Sequence, residues 1–455
     1  MSAPSYSGIP TSPRQPSSRL FGLIPIHSMP LDMIDSFDVC IIGAGNAALC
    51  AAISAAENNA RTLVLERAPQ EESGGNSRFT AGAIRFAYNG SDDLREICDL
   101  SDEEIRTTEF GVYTEDQFFD DMFRVTQFRC DPDLVEVLVR QSRSTVKWLH
   151  SHGVRFVPMY KRQAFKIDGV FRFWGGLTVE ARGGGPGLVE AETNIARDLG
   201  VDIRYGARAI RLTREHNRVT GVEVKQAGET YQINARAVVL AAGGFQANPE
   251  MRTRYLGPGW ELAKVRGSRF NTGAGIRMAL DIGAAPYGNW SGCHAVAWEL
   301  NAPEFGDLGI GDLFQKHSYP FSLCVNLNGE RFLDEGADFR NYTYAKYGRV
   351  ILEQPQQTAW QVFDSKVTHL MRDEYRIKQI TRVQADTIEA LAHTLATEHG
   401  MNEKNFLRTV TDYNAAVRKD VAFDPTIKDG KKTEGLPIDK HNWATRLDSP
   451  PYEAF

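Results

Sequence analysis

Cysteine is scarce and scattered in this chain: Cys40, Cys50, Cys98, Cys130, Cys293 and Cys324 include no CxxC pair. That spacing excludes both a zinc site and a disulfide framework as the organising element of the fold. Long apolar runs are missing too. None approaches the roughly 20 residues that a membrane-spanning helix requires, and no secretory signal is present. Basic runs are equally absent: 52 Lys and Arg stand against 58 Asp and Glu, a net charge of −6, so nothing favours nucleic acid as a partner. Acidic residues are missing before Asp32, and Arg occurs there only at 14 and 19, in a stretch rich in Ser and Pro. Residues 1–35 therefore read as a disordered leader. A mitochondrial transit peptide is the alternative reading, opposed by the few Arg and by prolines that work against an amphipathic helix. The expected location is cytoplasmic, with mitochondrial as the alternative.

What is present is a chain of 455 residues, 42% hydrophobic and 24% charged, long enough for two or three globular domains. Its most informative stretch runs from Phe37 to Glu66. Val39-Cys40-Ile41-Ile42 is a short, fully buried strand, followed at once by the turn Gly43-Ala44-Gly45. A helix starts there, and Ala47, Ala48, Ala51, Ala52, Ala55 and Ala56 give it a smooth face that can lie close to a sheet. Asn58-Asn59 ends it, and Thr62-Leu63-Val64-Leu65 is a second buried strand that finishes on Glu66. This is a nucleotide-binding βαβ unit. Gly43 permits the turn, Gly45 lets backbone approach a pyrophosphate, and Ala48 takes the third glycine position. The helix N-terminus offers N–H groups to phosphate, and Glu66 can accept from an adenosine ribose.

Further along, Ser73-Gly74-Gly75-Asn76-Ser77 is a small-residue loop, either a surface turn or a second close approach to a ligand. Residues 115–152 carry helical periodicity, with Leu134, Val135, Leu138, Val139, Val146, Trp148 and Leu149 expected on one buried face. From Gly183 a glycine-rich turn leads to a helix and a strand at Val201–Tyr205. Strand-like runs follow at Val219–Lys225 and Thr230–Ile233, and then a separate buried strand, Ala237–Leu240, exits through Ala241-Ala242-Gly243-Gly244-Phe245.

Taken in order, Gly43-Ala44-Gly45-Asn46-Ala47-Ala48, Glu66, Gly74-Gly75-Asn76-Ser77 and Ala241-Ala242-Gly243-Gly244-Phe245 resemble the fumarate reductase and succinate dehydrogenase flavoprotein family, in wording most of all its tricarballylate dehydrogenases. The resemblance extends over residues 36–455 through Asp131-Pro132-Asp133-Leu134-Val135, Arg266 to Gly275, Cys293-His294-Ala295-Val296-Ala297 and Asn328 to Gly336. It implies an α/β fold: a Rossmann-like FAD-binding domain at 36–291 with an inserted α+β cap domain at 292–447. It implies FAD held by Gly43, Gly45, Asn46, Ala47, Ala48, Glu66, Gly74, Gly75, Asn76, Ser77, Ala242, Gly243 and Gly244. Relatives that attach FAD covalently use a histidine just after this loop. Arg78-Phe79-Thr80 offers none, so the FAD is expected to be non-covalent.

The activity implied is dehydrogenation, or reduction in reverse, of a carbon–carbon bond next to a carboxylate in a small polycarboxylic acid, with electrons passed on to a further acceptor. His294, at the head of the cap, would bind a substrate carboxylate. Arg340 would carry the proton, although the matching position falls one residue earlier, at Phe339, and Tyr342, Tyr344 and Arg349 are rivals. No metal is implied. The same resemblance leaves a fumarate-like or ketosteroid-type substrate open. A different class also stays open: a catalytically inactive flavoprotein or partner subunit. Relatives continue past the point matching Pro450–Phe455 into a strand pair, a glycine-rich segment and a last helix. Residues 448–455 are thus expected to begin a shortened return to the FAD domain.

Overall fold

The computed structural model describes residues 35–173 and 179–455, so the leader expected at 1–35 lies, but for its last residue, outside the described residues. The expected βαβ unit forms: β1 (Ser36–Ile42), α1 (Asn46–Glu57) and β2 (Thr62–Leu65), with β1 and β2 parallel. They sit inside a six-stranded sheet completed by β3 (Asp202–Arg204), β4 (Arg208–Glu215), β5 (Arg218–Gln226) and β6 (Glu229–Leu240), in the order β4-β5-β6-β1-β2-β3. Cys40, Ile41, Leu63 and Val64 are fully buried, as a strand covered on both faces demands. Ala48, Leu49, Ala52 and Ile53 of α1 pack with Val189 and Ala196 of the helix Gly184–Asp198 into one apolar layer against the sheet.

The runs Thr230–Ile233 and Ala237–Leu240, expected to be separate strands, are one twelve-residue strand. Its first half pairs antiparallel with β5 and its second half parallel with β1, both ladders meeting at Asn234. Nothing at Asn234-Ala235-Arg236 breaks the chain, so partner exchange and not a turn separates the two halves. The long periodic segment is likewise two helices, Glu115–Val125 and Pro132–Ser151, the second capped by Asp131 with Pro132 in its first turn. Val135, Val139, Val146 and Leu149 are buried as expected, but Leu134 and Leu138 are 67% and 45% exposed. The buried stripe is thus narrower than the run of apolar residues.

A second, antiparallel sheet has the order β7-β8-β10-β9, from Leu323–Asn326, Ala359–Asp364, Tyr452–Ala454 and Val383–Ala385, with β9 being the 383–385 strand. The helices Ile388–His399 and Glu403–Ala416 cover it over a core of Trp360, Val362, Leu391, Leu395, Phe406 and Tyr413. Here residues 448–455 depart from expectation. Tyr452–Ala454 does not lead back toward the first sheet but forms an inner strand of the second, pairing with both β8 and β9. Alternating buried Tyr452 and Ala454 around Glu453 explain that placement. Among the described residues no helix is long and apolar enough to cross a membrane, no group of His, Cys, Asp and Glu could hold a metal, and all six cysteines are free thiols.

Candidate functional site: a glycine-lined cleft and a buried cationic cluster

The ends of β1, β2 and β6 open into a cleft of about 1220 Å³ lined by Gly43–Ala47, Glu66, Gly75–Ser77 and Ala241–Gly244. Three segments far apart in sequence thus meet where the resemblance placed a cofactor. Gly43 has φ +110°, and a Cβ on it would lie 2.4 Å from the Ala241 carbonyl oxygen. Only glycine fits that turn. Gly45 precedes α1 and brings no capping side chain, and the Asn46 N–H donates to Ser77 Oγ at 3.1 Å. Gly74 and Gly75 both hold positive φ, at +98° and +54°, and open a short 3₁₀ turn, Gly75–Phe79. A Cβ on Gly243 (φ +68°) would meet the Asn271 amide at 2.9 Å. Ala47 is exposed to the cleft, whereas Ala48 is buried against the sheet and acts through packing.

Glu66 does more than the sequence suggested. Its carboxylate is buried, and it accepts from the Ala44 N–H at 2.9 Å and the Ala68 N–H at 2.7 Å. It thereby pins the Gly43–Gly45 turn to the end of β2, with lone pairs left for a ribose hydroxyl. Burial pushes its pKa above the ordinary carboxylate value, against the pull of those two N–H groups. The cleft also recruits residues that sequence reasoning left unassigned: Arg67, Arg208, Gln246, Ser268 and Asn271. The glycine-rich stretch from Arg266 was their one visible signal. Asn76 Oδ1 accepts from the Ser268 N–H at 2.9 Å, and Gly267 leaves no room there for a Cβ.

Gly267 packs on Asn76, and the residue before it, Arg266, belongs to a cluster of cations. Arg266 donates to Gln315 Oε1 at 3.3 Å, and burial lowers its pKa. His294 is exposed to solvent, although protein packs around its ring. Enclosure, then the charge of Arg266, lowers its pKa to about 4, so its imidazole is neutral at pH 7. The Tyr344 ring stands between two imidazoles, 5.0 Å from His294 and 4.8 Å from His317, with the Arg340 guanidinium 5.5 Å from its centre.

Arg340 opens the helix Arg340–Leu352 and is 7% exposed, so it is not a surface charge. Its Nη1 donates to His317 Nδ1 at 3.3 Å and its Nη2 to the Arg162 carbonyl at 3.4 Å. Arg162 grips Asp312 through both nitrogens at 2.5 and 2.8 Å, and Arg372 donates to the same Arg162 carbonyl. Burial lowers the pKa of Arg340, and lowers that of Arg372 to about 9. The carboxylates acting on this group are Asp312, Glu374 and Glu180, and burial raises Glu180 toward neutrality. Among the described residues four guanidiniums, of Arg162, Arg266, Arg340 and Arg372, stand against these three carboxylates. Of the rivals, Tyr342 lies apart, stacked 3.7 Å from Arg124 and bonded to Asp121, and Arg349 pairs with Glu353 at 3.7 Å. Arg331 and Glu335 form a buried pair that holds the loop, with Glu335 also accepting from the Cys324 N–H.

A mixed sheet whose parallel strands β6, β1 and β2 end on a glycine-lined cleft with a pinned acid has the architecture of a dinucleotide-binding fold. Residues 38–444 match the FAD binding domain family, and the chain belongs to it. FAD is thus its cofactor. The bare turns at Gly43 and Gly243, both on the cleft, fit that assignment, since neither has room for a Cβ. The chain is 28% identical over 401 residues to a probable fumarate reductase, Ifc3, of Shewanella frigidimarina, covering 86% of this chain and 60% of that protein. It spans about three-fifths of the length of the fumarate reductases of that organism that it matches. Two solved structures share its fold. One is the open conformation of a flavocytochrome c3 fumarate reductase, with TM-score 0.65, 24% identity and coverage of 92% of this chain and 66% of the other. The other is a 3-ketosteroid Δ1-dehydrogenase from Sterolibacterium denitrificans, with TM-score 0.66, 19% identity and coverage of 92% and 87%.

Proposed function

We propose that the protein is an FAD-dependent oxidoreductase that moves two hydrogens across a carbon–carbon bond adjacent to a carboxylate in a small polycarboxylic acid, with tricarballylate the candidate substrate. The observation that carries this reading is the gathering of guanidinium groups around His294, His317 and Tyr344, reached from the cleft through Gly267 and Arg266. A steroid is neutral and offers nothing to that charge, so the cluster favours a carboxylate over the ketosteroid alternative.

Bound FAD supplies the hydride acceptor or donor. The chain's own residues hold the substrate and manage its proton. His294, neutral at pH 7, donates one N–H to a carboxylate, and Arg266 beside it adds charge without competing for the proton. Arg340 serves as the proton carrier at Nη1, where its bond to His317 Nδ1 provides a partner for the guanidinium in either state. Its burial makes that role less costly than for an exposed arginine, whose pKa exceeds about 12. The FAD is held non-covalently, because the residues after Ser77 are Arg78, Phe79 and Thr80. Anaerobic mixing tests the reading: tricarballylate or succinate should bleach the visible flavin band of the FAD-loaded protein, and a 3-ketosteroid should not. Bleaching by the steroid alone would overturn it.

A further inference from the structure

On the far side of Tyr344 from His294 the same cations face a different space. A cavity of about 1890 Å³, open to solvent, lies between the hairpin Ala164–Ile167 with Val170–Phe173 and the cap segment 366–373. Neither His294 nor Arg266 lines it, whereas His317, Arg340 and Arg372 do. Its walls are aromatic, with Phe165, Phe321, Phe339 and Trp443 on them. Exposed Lys161 and Lys166 stand at its mouth. Asp373 is the one acid on the lining among the described residues, and it already faces Lys161 at 3.7 Å.

The decisive atom is His317 Nε2. Arg340 can only donate, so His317 Nδ1 is the acceptor of their contact, which places the proton of the neutral ring on Nε2. That N–H belongs to a residue only 3% exposed, and it has no hydrogen-bond partner among the described residues. Buried donors are nearly always satisfied, so an unmatched one on the wall of a cationic cavity points to an acceptor supplied by a ligand. Arg372 on the same lining adds a charge-assisted donor for a carboxylate, and the aromatic walls suit an apolar skeleton carrying it.

We propose that this cavity is a second ligand site, distinct from the flavin-facing one, for a monocarboxylate with an aromatic or similarly flat apolar body. Its carboxylate rests on Arg372 and the His317 Nε2–H, its body lies against Phe321 and Trp443, and Lys161 and Lys166 draw it in. Phenylacetate is a suitable probe, because it has no saturated carbon–carbon bond from which two hydrogens could be removed. Its binding is therefore read independently of turnover.

Isothermal titration of the FAD-saturated protein tests the site. Phenylacetate should bind with one-to-one stoichiometry, and neutral phenylacetamide at least about tenfold more weakly, the value of one charge-assisted hydrogen bond. Arg372→Gln should weaken phenylacetate by about tenfold while FAD binding is unchanged. Lys161→Gln with Lys166→Gln, both at exposed positions, should lower affinity several-fold and flatten its salt dependence. If Arg372→Gln does not fold, this double variant decides the matter alone. Equal binding of acid and amide, or full affinity in the charge-removed variants, would overturn the proposal. So would displacement of phenylacetate by succinate together with loss of binding in His294→Ala, which would make the cavity the mouth of the flavin-facing site. That last outcome would leave the proposed reaction standing.

Discussion

Replacing Glu66 by Gln separates two roles that coincide at one residue. If Glu66 only received a ribose, the cofactor-free protein would not notice the change. The geometry says otherwise: both carboxylate oxygens accept buried backbone N–H groups, from Ala44 at 2.9 Å and from Ala68 at 2.7 Å. Glutamine keeps one acceptor oxygen and sets an NH₂ against the other N–H, leaving that donor unsatisfied at a cost of about 1–3 kcal/mol. The surviving bond loses its charge assistance, about another 1 kcal/mol. Against this, glutamine escapes the burial of a charge, the same effect that raises the Glu66 pKa. The net expectation is a loss of about 2 kcal/mol in the cofactor-free protein, read as a lower urea midpoint with unchanged slope. FAD affinity should fall as well, because the Gly43–Gly45 turn is no longer pinned. An unfolding free energy within about 0.5 kcal/mol of wild type, with FAD affinity alone reduced, would refute the clamp and return Glu66 to a purely ribose-facing role.

Other perturbations follow from the same geometry. Gly43→Ala must place a Cβ against the Ala241 carbonyl at positive φ, so the variant should purify without visible flavin and lose about 2–4 kcal/mol of stability by urea titration. His317 is neutral because burial, then Arg340, holds its pKa well below the ordinary 6.5. The unfolded chain therefore takes up a proton that the fold refuses, so the contribution of His317 to stability should be flat above about pH 6.5 and decline below it. His317→Asn should remove part of that decline in pH-dependent denaturation; an unchanged slope would count against a buried neutral imidazole. Arg340→Ala should retain FAD but lose at least about a hundredfold in substrate-dependent flavin reduction, within the range for a proton-transfer group; near wild-type rates would exclude Arg340 as the proton carrier.

The Gly43–Gly45 turn and its neighbour Glu66 were legible in the sequence because their geometry is local. Gly43, Gly45 and Glu66 belong to one βαβ unit, whose buried runs and turn residues state their own geometry. The cationic cluster was not, because it is assembled across the fold: Arg162 reaches it from beside the 164–173 hairpin, Arg266 from the glycine-rich loop, His317 and Arg340 from either side of β7, and Arg372 from after β8. Of these only Arg266 and Arg340 were singled out in the sequence, through the resemblance, whereas Arg162, His317 and Arg372 lie in no motif. The same limit explains β6, where a change of partner at Asn234 reads as an interruption, and Tyr452–Ala454, whose sheet is defined by strands some 70 to 90 residues earlier. It explains Leu134 and Leu138 too, apolar residues at helical spacing that the packing leaves outside.

The central claim is that the FAD cleft opens onto a site made for carboxylate. Its most direct measurement is anaerobic reduction of the bound flavin by tricarballylate and by succinate, followed by rapid mixing, in the wild type and in Arg266→Gln. The account predicts saturable bleaching in the wild type and a rise of at least about tenfold in the half-saturating concentration in the variant, with FAD still bound. Bleaching that is indifferent to Arg266, or that only a neutral substrate can produce, would contradict it.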